Sequence, residues 1–305
     1  MKPRTIFTGV LLFIIIVFRT YAQQDDFPIL KGLYLSQRPP GMTPEIFAHE
    51  LLSGALGLSF TPDGNELYYA SRSRIMFMRR ENDEWTKPHT VSFSGQYRDW
   101  DLNLSPDGKK LFFTSMRPVT KNGKPTDHAD IWVVHRTETG WSEPSNLGSP
   151  INTGRNELHP TISKNGNLYY FCDFDTTSKA DIYCSKFVDG KYTTPEKLRS
   201  KINSESSDLD PFIAPDESYL IFHSYRPGGF GEADLYISFR NEDGSWRAAI
   251  NLGEKINTAD HDLCGRVSHD GKYLFFKRLK MNPRQSDNYW VDVKIIEELK
   301  SDGMR

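Results

Sequence analysis

The sequence predicts an all-β protein: a five-bladed β-propeller of four-stranded antiparallel blades, the last one closed by an N-terminal strand. Three observations predict it. One hairpin phrase returns five times, as LSFTPDGNELYYAS from Leu58, LNLSPDGKKLFFTS from Leu102, PTISKNGNLYYFCD from Pro160, PFIAPDESYLIFHS from Pro211 and GRVSHDGKYLFFKR from Gly265. Each copy is an apolar-polar alternation, a turn of Pro-Asp-Gly type, and a run rich in Tyr and Phe, which is a β-hairpin signature. The turn residues Asp63, Asp107, Asn165, Asp216 and Asp270 are spaced 44, 58, 51 and 54 residues apart, one four-stranded blade per period. No long stretch of 3.6-residue apolar periodicity occurs before the last dozen residues.

The elements follow in order. Residues 1–22 read as a secretory signal peptide. Lys2 and Arg4 form its basic start, Gly9 to Phe18 its short apolar stretch, and Ala22 a small residue at the cleavage site. Residues 23–45 form an N-terminal extension, 46–294 the propeller and 295–305 a short amphipathic tail. Within each period the hairpin is followed by a third strand that opens on Asp, at Asp130, Asp181, Asp234 and Asp287. A bond from this Asp to the end of the preceding strand (Ser115, Arg117, Ser224, Arg226) explains its return. A Trp- or Tyr-led fourth strand follows, and its prolines (Pro88, Pro144, Pro195) suit an outer edge, where a missing N–H costs least.

The fifth period supplies only three strands. An orphan strand phrase near Glu45 completes it by ring closure, which removes the open edges that a linear array would leave. The alternative, a sixth blade within residues 23–45, is disfavoured because QRPPGMTP is turn-like.

The phrases SPDGKKLFF and YRPGGFGEADLY resemble the TolB-like family of WD-repeat-like propellers, defined by a Pro-Asp motif. The resemblance covers nearly the whole mature chain. It implies a secreted or periplasmic propeller, in a family that includes binding modules, peptidase-associated propellers and a few polysaccharide lyases.

Composition narrows the function. Net charge is −2, and loss of Lys2, Arg4 and Arg19 with the leader makes the mature chain more acidic, so nothing points to nucleic acid. No Cys follows the apolar stretch to carry a lipid. Cys172 and Cys184 lie on successive strands, where a cross-strand disulfide or two buried thiols are the options. Gly-x-Ser-x-Gly and His-Glu-x-x-His are both absent.

Alignment on the turns yields two columns before the inner strands. The first holds Asp99, Glu157, Asp208 and Asp262, with Ala55 in the first repeat. The second, two residues on, holds Asp101, His159, Asp210 and Cys264, with Gly57. Strict alternation puts both on one side of the strand, facing the channel. The candidate ligand site is therefore Asp101, His159, Asp210, Asp99, Glu157, Asp208, Asp262 and, from the loop entering the last blade, His261; the alternative, favoured for the first column, is that each repeated Asp ties its loop to a neighbouring blade through backbone hydrogen bonds. Asp101, Asp210 and His159 are the candidate metal ligands, with Ca²⁺ the candidate ion. His223, His128 and His269 also break the repeat. The expected function is a monomeric, non-catalytic extracytoplasmic binding module, with a protein partner in the cell envelope or a glycan ligand. The alternative is a polysaccharide lyase or glycoside hydrolase acting at the channel mouth.

Overall fold

The computed structural model describes residues 27–120, 122–173, 179–199 and 201–302. Among them the strands form five antiparallel blades around a central channel, with a two-stranded ribbon (Phe187–Val188 with Lys191–Tyr192) on the third. From channel to rim, blade 1 contains Leu56–Phe60, Glu66–Ser71, Arg74–Glu81 and an outer strand split into Glu84–Trp85 and His89–Thr90. Blades 2, 3 and 4 have inner strands Asp99–Leu104, Glu157–Ile162 and Asp208–Ile213. Blade 5 runs His261–Val267, Tyr273–Met281 and Arg284–Asp292. Its outermost strand is Glu45–Ile46, paired through Glu45 with Trp290 and Ile46 with Tyr289. Residues 27–44 add no blade. They hold one isolated bridge, from Lys31 to Glu84, and pack Leu30, Tyr34 and Leu35 against the blade 5–blade 1 core.

The second strand of each blade is apolar at successive positions because both of its faces are buried. In blade 1, Leu67 and Tyr69 face blade 5, while Tyr68 and Ala70 face blade 2. In blade 3, Leu168 and Tyr170 face blade 2, and Tyr169 and Phe171 face blade 4. The period-2 geometry of a strand thus feeds two cores at once, and five such cores bind the blades into a ring. The C-terminal helix, Lys294–Asp302, buries Ile295 and Ile296 in the core between blades 4 and 5.

The repeated turns are hairpin chemistry. Asp63 accepts from the Asn65 amide, Asp107 from Lys109 and Asp216 from Ser218. Each is an Asx turn that fixes the hairpin, and these hydrogen bonds hold all three carboxyls below their ordinary range despite partial burial.

A second device is signalled by Ile-Asn pairs at 151–152, 202–203 and 256–257, which the hairpin alignment passes over. Asn152, Asn203 and Asn257 are buried. Each clamps the third strand of its blade, accepting from and donating to the backbone of Ile131, Ile182 and Leu235 in turn.

The Asp that opens each third strand also serves its blade, but its partner is not the strand before. Asp130 accepts from Asn146 and Asp234 from Asn251, Asp181 pairs with Lys197, and Asp287 with His49. It ties the third strand to the fourth-strand region.

Strand register separates Cys172, opposite Asp181, from Cys184, opposite Tyr169, and all three cysteines are free thiols.

Candidate functional site

Every inner strand changes register at the same place, between Leu56 and Ser59, Trp100 and Asn103, Leu158 and Thr161, Leu209 and Phe212, and Leu263 and Arg266. Inside each break sits one residue with positive φ: Gly57, Asp101, His159, Asp210 and Cys264. This is a β-bulge repeated five times. Only blade 1 uses glycine, and there a Cβ would lie 3.3 Å from the Leu102 backbone of the next inner strand. The other four positions hold non-glycine residues in a strained conformation, a pattern that clusters at functional sites.

The bulge separates the two sequence columns. Strict alternation fails across it, and the first column does not reach the channel. Asp99, Glu157, Asp208 and Asp262 are all 0% exposed. Asp99 pairs with Arg117 at 2.7 Å, Asp208 with Arg226 at 2.6 Å and Asp262 with Arg278 at 2.8 Å. Each pair lies within its own blade. Glu157 has no such arginine among the described residues. It accepts from Thr153, faces the Cys172 thiol at 3.7 Å and leaves Oε2 unpaired. Burial raises its carboxyl to about 7.

The second column does converge. His159 Nδ1 lies 3.3 Å from Asp210 Oδ1 and 3.7 Å from Asp101 Oδ1. Asp210 Oδ2 accepts from the Cys264 thiol at 3.0 Å and lies 3.3 Å from His223 Nδ1. His159 and His223 are 3% and 4% exposed, and neither Nδ1 meets hydrogen-bond geometry. Asp210 is the hub. The two imidazoles and the thiol outweigh its burial and hold its carboxyl well below the ordinary carboxylate range.

Arg266 closes the channel beneath the hub. Its Nη1 donates to the carbonyls of Leu58 and Leu102, from blades 1 and 2, and its Nη2 lies 3.4 Å from His159 Nε2. A guanidinium only donates, so a hydrogen bond at this contact requires Nε2 as the acceptor, which in a neutral ring places the proton on Nδ1, on the side of the carboxylates. Beyond Arg266, on the turn side, is a cavity of about 110 Å³ lined by residues including Leu104, Phe275 and His269. Burial and the nearby guanidinium lower His269 to about 4.

Where blade 1 has Ala55 instead of a carboxylate, blade 5 supplies the donors. Lys277 Nζ reaches the carbonyls of Gly54 and Ala55, and Asn288 those of Leu52 and Ala55.

Of the remaining histidines, His261 stands at the rim, its ring 6.2 Å from that of Tyr225, outside the hub. His128 pairs with Asp127 and Asp130. Sequence reasoning missed Arg266 and Lys277, because both lie in hairpin positions where a basic residue reads as solvent-facing.

His159, Asp210 and Cys264 each offer one ligand atom, all within 4.8 Å of one another. The donors do not suit Ca²⁺, which takes six to eight oxygens; two carboxylates stand here among imidazoles and a thiol. A metal held through His159 Nδ1 requires the ring proton on Nε2, the nitrogen that faces the Arg266 guanidinium.

No family model matches the chain, and no curated protein matches it. Solved structures do. A putative TolB from Agrobacterium tumefaciens is similar at 20% identity, covering 73% of this chain and 69% of its own, with a TM-score of 0.50. A thermostable family-43 glycoside hydrolase aligns at 13% identity over 78% and 88% of the two chains, with a TM-score of 0.52. An endo-arabinase from Bacteroides thetaiotaomicron VPI-5482 aligns at 16% identity over 87% and 97%, with a TM-score of 0.50. At these identities the likeness establishes the fold alone, and the count of five blades rests on this chain's own strands.

Proposed function

We propose that this chain is an extracytoplasmic binding module whose ligand seat is the channel mouth around Asp210. The carrying observation is that five equivalent bulges present four kinds of residue, and that three of them, His159, Asp210 and Cys264, meet at one point with Asp101 beside His159. Symmetric positions serve the blades, whereas this asymmetric set does not repeat and has buried imidazole nitrogens without satisfied hydrogen bonds. Tyr225 and Phe230, exposed on the loop 225–233, supply apolar contact area beside the mouth. The extracytoplasmic placement rests on the leader-like residues 1–22, which lie outside the described residues. Among the described residues no helix is long and apolar enough to cross a membrane.

The electrostatics favour binding over glycoside hydrolysis. That reaction needs one carboxyl kept protonated as the acid. Asp210 is held ionised, and the carboxyl with a strongly raised value, Glu157, is sealed inside blade 3. The carbohydrate-active reading retains one favourable observation, the placement of Asp101 and Asp210 around His159 at the mouth of a fold shared with glycoside hydrolases.

A polysaccharide panel scored for both retention and reducing-end release separates the two, alongside capture of envelope proteins. The binding reading expects no turnover and a discrete protein or glycan retained, with retention lost in Asp210→Asn. Turnover that disappears in Asp101→Asn overturns it. A metal-content measurement on the purified chain, run beside the panel, reports whether a cation accompanies the ligand.

A further inference from the structure

A second recess lies away from the channel, between the outer parts of blades 3 and 4. It is a cleft of about 510 Å³, within the size range of small-ligand sites. Its wall is apolar where Leu198, Ile202 and the Trp246 indole line it. Arg240 stands 5.4 Å from that indole and is anchored by Glu217 at 2.5 Å, so the aromatic wall is braced.

The rim is basic. Lys186, Lys197, Arg199, Lys201 and Arg240 line the cleft against two acids, Glu196 and Asp243. Arg240 and Lys197 are committed to Glu217 and Asp181, and Lys201 acts on Asp243. Lys186 and Arg199 are exposed, and neither side chain has an ion-pair partner among the described residues. The chain as a whole is acidic, at −2, so this surplus of cations is local. Glu196, also without an ion pair among the described residues, leaves the uncommitted charges at two cations to one acid, and a cationic excess over an aromatic wall suits a ligand that carries an anion on a ring with an apolar face.

We propose that this cleft binds an acidic glycan, with sugar carboxylates at Lys186 and Arg199 and a ring packed on Trp246. The site is separate from the channel mouth and does not depend on the reading of Asp210.

The test is calorimetric titration of the purified chain with a polygalacturonate oligomer, using a neutral dextran oligomer and inorganic sulfate as controls. Binding of polygalacturonate alone is expected, weakening as salt rises. The Lys186→Ala/Arg199→Ala double variant, changed only at exposed positions, should bind about tenfold more weakly or worse with an unchanged melting temperature. Trp246→Phe should retain binding and Trp246→Ala should lose it. Asp210→Asn, which removes retention at the channel mouth, should leave polygalacturonate binding at this cleft unchanged, so this glycan is scored apart from those that the channel mouth retains. Absence of polygalacturonate binding, equal binding of sulfate or dextran, or full affinity in the double variant overturns the proposal.

Discussion

Arg266 reaches from blade 5 across the channel to His159 of blade 3, with Nη2 3.4 Å from Nε2, while its other nitrogen serves carbonyls of blades 1 and 2. One buried side chain thus touches three blades besides its own. Arg266→Ala leaves those carbonyls without their donor and frees the His159 ring, with an expected loss of about 3 kcal/mol. Arg266→Lys should rescue little, because an ammonium cannot reproduce a planar fork aimed in two directions. Urea unfolding of both variants checks this.

Asp210→Asn carries a pH signature. The native carboxyl is depressed, so the stability it contributes is complete above its ordinary value of 3.8 and fades as pH falls further. The variant should be less stable by about 3 kcal/mol at pH 7, with the gap closing below pH 4. Thermal melts of the two proteins at pH 7 and pH 3 measure it.

Glu157 has the opposite sign. Its folded value of about 7 stands above the ordinary 4.5. The folded state therefore holds the proton more tightly, and stability falls as pH rises between those values. Glu157→Gln keeps the acceptor, removes the titration and should stabilise the protein at pH 8 by up to about 3 kcal/mol. At pH 4 the two proteins should match. Urea midpoints at both pH values decide it.

Asn257 both accepts from the Leu235 amide and donates to its carbonyl. Asn257→Asp retains the acceptor and loses the donor, so it should destabilise nearly as much as Asn257→Ala, each by about 2 kcal/mol or more. Equal melting temperatures for Asn257→Asp and the unaltered protein sink this assignment.

Phe47 is fully buried, its ring 4.9 Å from Trp290 and 5.0 Å from Phe275. Phe47→Ala should cost about 4 kcal/mol, and hydrogen exchange should show blade 5 loosening before blade 3.

The blades were legible in the chain because turns and strand patterns are local. Asp63, Asp107 and Asp216 act within two residues of themselves, so a short window contains their whole explanation. The second column was legible as a set of disagreements among copies. The fate of the first column was not, because a bulge at Asp101, His159, Asp210 and Cys264 breaks the alternation that would have aimed Asp99 and Glu157 at the channel. Arg117, Arg226 and Arg278, which neutralise the three aspartates of that column, sit sixteen to eighteen residues away. Arg266 answers to Leu58, 208 residues distant, and no local pattern reports such a partner.

The two residue pairs that join Glu45 and Ile46 to Trp290 and Tyr289 also impose an order in time. During synthesis the first of these strands emerges some 240 residues before its mate, so it must wait unpaired while four blades are made. The ring therefore cannot close until Arg284–Asp292 has been made, and a nascent chain interrupted before Arg284 leaves Glu45–Ile46 without its partner strand.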